Sequence, residues 1–93
     1  MNGSAKLYIR SENLSWRRVG DEVVVLDLNE TVYLTLNSSG AVLWELLDGG
    51  ATQAELAQAL VDRFPISLEE AASDVDAFVE RCVAEKVLKI TED

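Results

Sequence analysis

The sequence predicts an α+β domain in which three short antiparallel strands precede three helices. Between Leu14 and Leu36 the chain is rich in Val, Leu, Thr, Tyr and Trp, with turn residues at Gly20-Asp21 and Asn29-Glu30. From Asn37 onward, apolar residues recur at the three- and four-residue spacing of a helix. At 93 residues and 48% hydrophobic composition the chain fits a single domain, 1–93, whose ordered core is expected over about residues 14–88.

The strand-forming segment divides into three strands joined by short turns, and we place them at Leu14–Val19, Glu22–Leu28 and Thr31–Leu36. Connections of about two residues require an antiparallel meander. In the third strand Val32, Leu34 and Leu36 alternate with more polar residues, which predicts one aliphatic face toward the core. Because the third strand of a meander has a neighbour on one side only, its free backbone groups form a candidate docking edge. For Val87–Ile90 the sequence allows either a short further strand or a frayed end.

The first two helices have clear start and stop signals. Asn37 or Ser38 can cap the first helix, and Asp48-Gly49-Gly50 ends it. Thr52-Gln53-Ala54-Glu55 is a capping box, in which the Thr hydroxyl and the Glu carboxylate satisfy free amides in the first turn of a second helix. Pro65 prevents that helix from continuing.

The third helix is predicted to be the longest. It begins at a second capping box, Ser67-Leu68-Glu69-Glu70, and runs to about Lys86. Its core-facing stripe is expected to contain Leu68, Ala71, Val75, Phe78 and Cys82. Ala72, Val79 and Val83 lie beside that stripe and widen the apolar arc beyond what one contact needs, which indicates a groove.

The composition argues against catalytic and cofactor chemistry. The chain has no His, and its single cysteine, Cys82, is expected on the buried face of a helix, so the usual nucleophile-base pairs and zinc sites cannot be assembled. The carboxylates of the third helix are interpreted as a solvated face. No glycine-rich turn joins a strand to a helix in the way that a phosphate or dinucleotide site requires. We therefore expect neither an enzyme nor a metal or cofactor.

Charge and hydropathy narrow the range of partners. The chain shows no signal peptide and no apolar run of membrane-spanning length, which predicts a soluble cytoplasmic protein without a membrane partner. The formal net charge of −9 at pH 7 opposes contacts with phosphates, so nucleic acid is not expected as a partner. An acidic domain favours basic or neutral partners instead.

Three consecutive segments carry a resemblance to a known family, and they are Val23–Leu28, Thr31–Asn37 and Gly40–Gly49. They combine an apolar strand pair, a Leu-Asn step and a helix that ends in Asp-Gly. Their order and spacing resemble the PqqD-like family, and the similarity continues through Phe78 to cover about residues 14–88. The Leu-Asn step with Gly40 and Trp44 is similar to standalone members from lasso-peptide pathways. The family commonly has a glycine in the last turn of the third helix, where this chain has Glu85-Lys86-Val87-Leu88.

The resemblance implies a winged-helix-like domain that recognises precursor peptides and performs no chemistry itself. Its third strand accepts the leader segment of a ribosomal peptide as an added strand, which lies against the third helix. The peptide-binding residues carried over to this chain are Val32, Tyr33, Leu34 and Thr35 on the strand and Ala72, Val75, Asp76, Val79 and Val83 on the helix. Leu34 and Val75 can equally be plain core residues. The implied partners are the leader and a leader peptidase or other modifying enzyme that receives it.

Two other functions use the same elements. A winged-helix DNA-binding protein would place a helix in the major groove, but the acidic residues of the third helix outnumber Arg81 and Lys86, which is the wrong sign for phosphate contacts. A structural subunit or dimerisation module would use the wide apolar arc of the third helix to join another chain. A homodimer is compatible with peptide capture, because a free strand edge can pair with a second copy.

Overall fold

The computed structural model describes residues 5–10, 12–30 and 32–91. The elements along the chain are β1 (Lys6–Ile9), β2 (Leu14–Val19), β3 (Glu22–Asp27), β4 (Val32–Leu36), α1 (Ser38–Leu47), α2 (Gln53–Arg63), α3 (Leu68–Ala84) and β5 (Leu88–Thr91). The predicted α+β class, with a three-stranded antiparallel sheet followed by three helices, is confirmed by β2–β4 and α1–α3.

The three-stranded sheet is an antiparallel meander in the order β2-β3-β4. β2 has the bounds expected from the sequence, and the turn at Gly20-Asp21 joins it to β3, with Gly20 at a φ of +64°. β3 ends at Asp27, just before the expected Leu28. The reason is that the Asp27 carboxylate accepts backbone N–H bonds of 3.0 and 3.4 Å from the turn that follows. Thr31, the expected first residue of the third strand, lies outside the described residues.

A separate two-stranded sheet joins the two ends of the described chain. β1 pairs antiparallel with β5, and Leu7 of β1 is buried in the core. Leu7 also exchanges backbone hydrogen bonds of 2.8 and 3.0 Å with Ala51, in the connection between α1 and α2. The segment Val87–Ile90, for which the sequence allows a strand or a frayed end, therefore contributes to a strand. Its partner β1 lies before residue 14, where the sequence predicts no element.

One hydrophobic core lies between the meander and the helices. Its largest fully buried side chains are Val23, Val25, Leu36, Leu43, Trp44, Leu47, Leu56, Leu60, Val75, Cys82 and Val87. α1 lies on β3 and β4, while α2 contacts both α1 and α3. The rings of Trp16 in β2 and Trp44 in α1 meet edge to face with centroids 6.1 Å apart, which anchors α1 to the sheet. Within the described part of the chain, no helix is both long enough and apolar enough to cross a membrane.

The predicted helix starts are all present. Asn37, rather than Ser38, caps α1, and its side chain accepts a 3.0 Å hydrogen bond from the Gly40 N–H. The capping boxes of α2 and α3 form as expected, with Thr52 and Ser67 as the caps.

The end of α3 has an unusual residue for its backbone conformation. The helix stops at Ala84, short of the expected Lys86, and Lys86 has a left-handed φ of +61°. The N–H groups of Lys86 and Val87 donate to the carbonyls of Val83 and Cys82 at 3.0 and 3.1 Å. This is the Schellman arrangement, in which glycine is the usual left-handed residue because it has no Cβ. Lys86 therefore occupies a position where a side chain costs conformational energy.

Candidate functional site

The site begins at the outer edge of β4, the last strand of the meander. Among the described residues, β4 pairs with β3 alone. In an antiparallel pair, alternate residues direct both backbone groups toward the partner strand, and the residues between them direct theirs away. Val19 and Glu22 close the two-residue turn and so form a hydrogen-bonded pair, which determines this alternation across the sheet. It leaves the N–H and C=O groups of Tyr33 and Thr35 pointing away from β3.

Side chains also alternate along β4. Tyr33, which is 71% exposed, and Thr35 lie on the outer face of the sheet, whereas Leu34 and Leu36 are buried in the core. An extended chain added at this edge would therefore pair with the backbone of Tyr33 and Thr35. Its own side chains would alternate between the outer face of the sheet and the side on which the helices lie.

A cavity of about 370 Å³ connects the end of β4 with α3, and we call it the strand-helix groove. It is lined by Leu36, Asn37, Ser39, Gly40, Leu43, Leu60, Asp74, Ala77, Phe78 and Arg81. Leu36, Leu43, Leu60 and Phe78 are buried, so the groove has apolar side chains within reach beneath a more polar rim. Such a mixture suits an apolar side chain on a peptide whose backbone stays partly solvated.

Arg81 reaches from α3 to the free edge. Its guanidinium Nη2 donates to the C=O of Thr35 at 3.4 Å, which is long for an N–H···O bond. The contact agrees with the alternation of the sheet, because it requires the Thr35 carbonyl to point outward. Arg81 is also the single basic residue of α3, whose remaining charged residues are Glu69, Glu70, Asp74, Asp76 and Glu80.

The strand residues predicted to bind peptide occupy different settings. Tyr33 and Thr35 present backbone groups at the free edge, while the Leu34 side chain belongs to the core. Val32 lies opposite Asp27 of β3, and by the same alternation its backbone groups point toward β3 rather than to the free edge. The assignment of these four residues to peptide binding stays a prediction, and the edge geometry gives Tyr33 and Thr35 the more direct part in it.

Three of the helix residues predicted for the site lie on the other flank of α3. Ala72, Val75 and Asp76 line a separate cavity of about 370 Å³ between α2 and α3, together with Gln53, Ala54, Ala57, Gln58 and Leu68. At about 100° per residue, Asp76 and Arg81 are about 140° apart around the helix. The structure therefore does not bring Ala72, Val75 and Asp76 into one cavity with the β4 edge.

Val79 and Val83, also predicted for the site, differ in burial. Val79 is 8% exposed and belongs to the hydrophobic core, whereas Val83 is 46% exposed. Val83 lies two turns after Asp76, on the same flank of α3 and away from Arg81. A charge placed at Val79 would be buried, so such a substitution would report on folding before it could report on binding.

The α3 residues that line the strand-helix groove are Asp74, Ala77, Phe78 and Arg81. The sequence predicts Phe78 as core, and it offers no reason to select the other three for a groove. They lie on the flank of α3 that has fewer apolar residues. The apolar pattern of the sequence predicts a groove on the opposite flank, which contains Ala72, Val79 and Val83. No local signal distinguishes the two flanks of a core stripe, because the difference depends on how α3 crosses the sheet.

Cys82 lies on the core face of α3, outside the lining of the strand-helix groove. Burial raises the pKa of the Cys82 thiol to about 11, so the thiol stays protonated near neutral pH. Among the described residues, no group of His, Cys, Asp and Glu side chains could hold a metal ion. The arrangement can instead bind an extended chain through backbone pairing and an apolar groove.

Known proteins resemble the chain in sequence and in fold. The family model described as coenzyme PQQ synthesis protein D (PqqD) matches residues 22–88. The structure is similar to TbiB1 in complex with the TbiA(beta) leader peptide, with a TM-score of 0.82, 24% identity, and coverage of 92% of this chain and 99% of that one. It is also similar to lasso peptide synthetase B1 complexed with the leader peptide, with a TM-score of 0.78, 23% identity, and coverage of 89% and 96%. Identities this low establish a shared fold. Among curated proteins, none matches the chain.

Proposed function

The chain belongs to the PqqD family, and on this basis we propose that it binds the leader segment of a ribosomally synthesised precursor peptide. In this proposal the leader pairs as an extra strand with the free edge of β4 and lies along the strand-helix groove. The observation that carries the proposal is the outward-pointing backbone of Tyr33 and Thr35 beside a groove with buried apolar residues.

Strand addition suits a partner whose sequence varies. Each backbone hydrogen bond contributes about 0.5–1.5 kcal/mol net and does not depend on the side chains of the peptide. An apolar side chain that leaves water for the groove beside Leu43 and Phe78 contributes about 1.5–3 kcal/mol before ordering costs are subtracted. The edge would therefore supply affinity that tolerates sequence variation, and the groove would supply selectivity.

The structural neighbours support the same function. TbiB1 and lasso peptide synthetase B1 are each in complex with a leader peptide, and each shares its fold with about nine-tenths of this chain. We therefore assign the chain to the standalone, lasso-peptide-type members of the family as part of the proposal.

The bound leader is then delivered to another protein. The receiving partner in this proposal is a cytoplasmic leader peptidase or another modifying enzyme, and the chain itself performs no catalysis. The buried Cys82 thiol, with its raised pKa, is unsuited to act as a nucleophile. A homodimer is an alternative use of the same edge, since β4 can pair with the β4 of a second copy when no leader is bound.

A proline at the edge tests strand addition. The N–H of Thr35 points away from β3, so Thr35→Pro removes an outward donor and places a ring at the edge while leaving the bonds between β3 and β4 in place. Thr35→Val is the matched control, because it keeps the backbone and the branched shape. A fluorescently labelled leader from a neighbouring short reading frame is titrated against both variants and the wild type, with a scrambled peptide alongside.

We expect Thr35→Pro to weaken leader binding by about tenfold or more, equivalent to about 1.4 kcal/mol, and Thr35→Val to bind like the wild type. Equal affinities for wild type and Thr35→Pro, with both proteins folded by circular dichroism, would exclude pairing at this edge. A wild type that does not distinguish the leader from its scramble would exclude leader recognition itself.

A further inference from the structure

The contact between Arg81 and the Thr35 carbonyl occupies the place that an added strand must use. An incoming peptide pairs with β4 by donating its own N–H to the outward carbonyls of the edge, at about 2.9 Å. The guanidinium already donates to one of them, at the longer distance of 3.4 Å. A well-formed backbone bond would therefore displace a weaker one, and Arg81 would be left beside the bound peptide.

In the free protein the Arg81 guanidinium forms no ion pair with a described residue. Among the described residues, Arg10 pairs with Asp27 and Arg18 with Glu45. Arg81, like Arg17 and Arg63, forms no ion pair within this part of the chain. A guanidinium stays charged at any relevant pH and presents several N–H donors in a planar fork that fits a carboxylate. Beside a bound strand, part of the surrounding water is replaced by peptide, which strengthens the preference of Arg81 for an anionic partner.

We propose that Arg81 is a specificity-determining residue that selects an aspartate or glutamate side chain in the bound peptide. The inference rests on the proposed leader-binding function and concerns the same groove. In the free protein Arg81 covers the β4 edge through Thr35, and in the complex it exchanges this contact for the carboxylate of the peptide. Selection of an acidic peptide residue by Arg81 runs against the net charge of −9, because the overall field of the chain favours basic partners.

Asp74 and Arg81 place opposite charges at two ends of the strand-helix groove. Asp74 lines the same groove as Arg81 and lies two turns earlier on the same flank of α3, about 10 Å along the helix axis. The groove thus has a positive end next to Thr35 and a negative end at Asp74. An acidic peptide residue is attracted at the first end and repelled at the second, so a peptide with one carboxylate at the right position binds in one orientation.

A selection experiment tests the inference without knowledge of the natural leader. A phage library of random dodecapeptides is selected against the wild type, Arg81→Glu and Arg63→Glu. Arg63 lies at the end of α2 and outside the strand-helix groove, so its substitution makes the same change in net charge away from the site. Arg81 is exposed, and all three proteins are first compared by thermal unfolding.

We expect wild-type and Arg63→Glu selections to enrich Asp or Glu at one position relative to the apolar anchors, and Arg81→Glu to enrich Lys or Arg there. In the best wild-type peptide, replacing that acidic residue with its amide should weaken binding to the wild type about tenfold and to Arg81→Gln hardly at all. Enriched peptides that lack an acidic position, or that are the same for Arg81→Glu, would overturn the role of Arg81 and leave peptide capture standing. If none of the three proteins enriches any peptide, the proposed function fails and the inference fails with it.

Discussion

The Arg10 guanidinium donates a 2.9 Å hydrogen bond to the Asp27 carboxylate, and this ion pair connects the segment after β1 to the end of β3. The same guanidinium donates to the backbone carbonyls of Glu12, Asn13 and Lys86. Asp27 is buried, and its carboxylate also accepts two backbone N–H groups from the turn after β3. Arg10 thereby links the N-terminal strand, the meander and the end of α3.

The Asp27 pair should make stability depend on pH. The hydrogen bond from Arg10, with smaller contributions from the turn backbone, lowers the pKa of Asp27 below its ordinary value of 3.8, against the opposing effect of burial. Because the folded carboxyl group binds its proton less tightly than the unfolded one, its stabilisation is present above pH 3.8 and is lost as the pH falls below it. We expect Asp27→Asn to unfold at a lower temperature than the wild type near neutral pH, with a difference that shrinks below pH 3.8.

The measurement is the thermal unfolding temperature of both proteins, from neutral pH to below pH 3.8. Asp21→Asn, which removes an exposed carboxylate from the turn between β2 and β3, is the control for net charge and should keep the wild-type dependence. A difference between Asp27→Asn and the wild type that is the same at every pH would contradict the prediction.

The left-handed Lys86 predicts a stabilising substitution. Lys86→Gly removes the Cβ that makes a φ of +61° unfavourable, so we expect the free energy of unfolding in urea to rise by up to about 1 kcal/mol. Glu85→Gly is the neighbouring control, because Glu85 has an ordinary φ of −84° and gains only flexibility in the unfolded chain. That control should lose about 0.5–1 kcal/mol. A loss of stability in both variants would show that Lys86 is not strained.

The two flanks of α3 can be separated by their effect on peptide binding. Ala77 is exposed and lines the strand-helix groove, whereas Val83 lies on the opposite flank. We expect Ala77→Asp to weaken leader binding about tenfold or more, because it places a charge where an apolar peptide side chain must lie, and Val83→Asp to leave it nearly unchanged. Fluorescence titration of both variants with the same leader is the measurement. The reverse result would restore Ala72, Val79 and Val83 as the binding flank.

Cys82 should be nearly unreactive in the folded protein. Its thiol is buried, and burial raises its pKa to about 11, so very little thiolate is present near neutral pH. We expect an aromatic disulfide reagent to modify Cys82 at least a hundredfold more slowly in buffer than in denaturant. If the thiol reacts only after the core opens, a free energy of unfolding above about 3 kcal/mol slows the reaction by about this factor. Modification at the denatured rate in buffer would show that the α3 core face opens readily.

Helix starts and strand order could be predicted because their signals are local. Asn37, Thr52 and Ser67 each cap a helix, at positions that the sequence itself indicates. The turn at Gly20-Asp21 likewise determines the antiparallel pairing of the strands beside it. The family resemblance added the expectation of peptide capture, since a function cannot be derived from these local signals alone.

β1 could not be predicted for the opposite reason. Its four residues form a strand because they pair with β5 at the other end of the described chain, in a register that joins Lys6 to Thr91. Tyr8 and Ile9 favour strands, but four residues are too few to show a period, and no neighbouring strand in the sequence can pair with them. The burial of Leu7 beside Ala51 depends on the helices being in place. Pairing over such a separation is a property of the assembled domain.

The sequence by itself determined the class of fold, the order of the meander and helices, and a free edge at β4, because turns, caps and apolar periods act within a few residues of each other. Only the tertiary structure decided which flank of α3 faces that edge. Asp76 and Arg81 are equally polar neighbours of the same core stripe, yet one lies over α2 and the other reaches Thr35. The stripe orients α3 toward the core, and the direction in which the helix crosses the sheet then assigns its two sides.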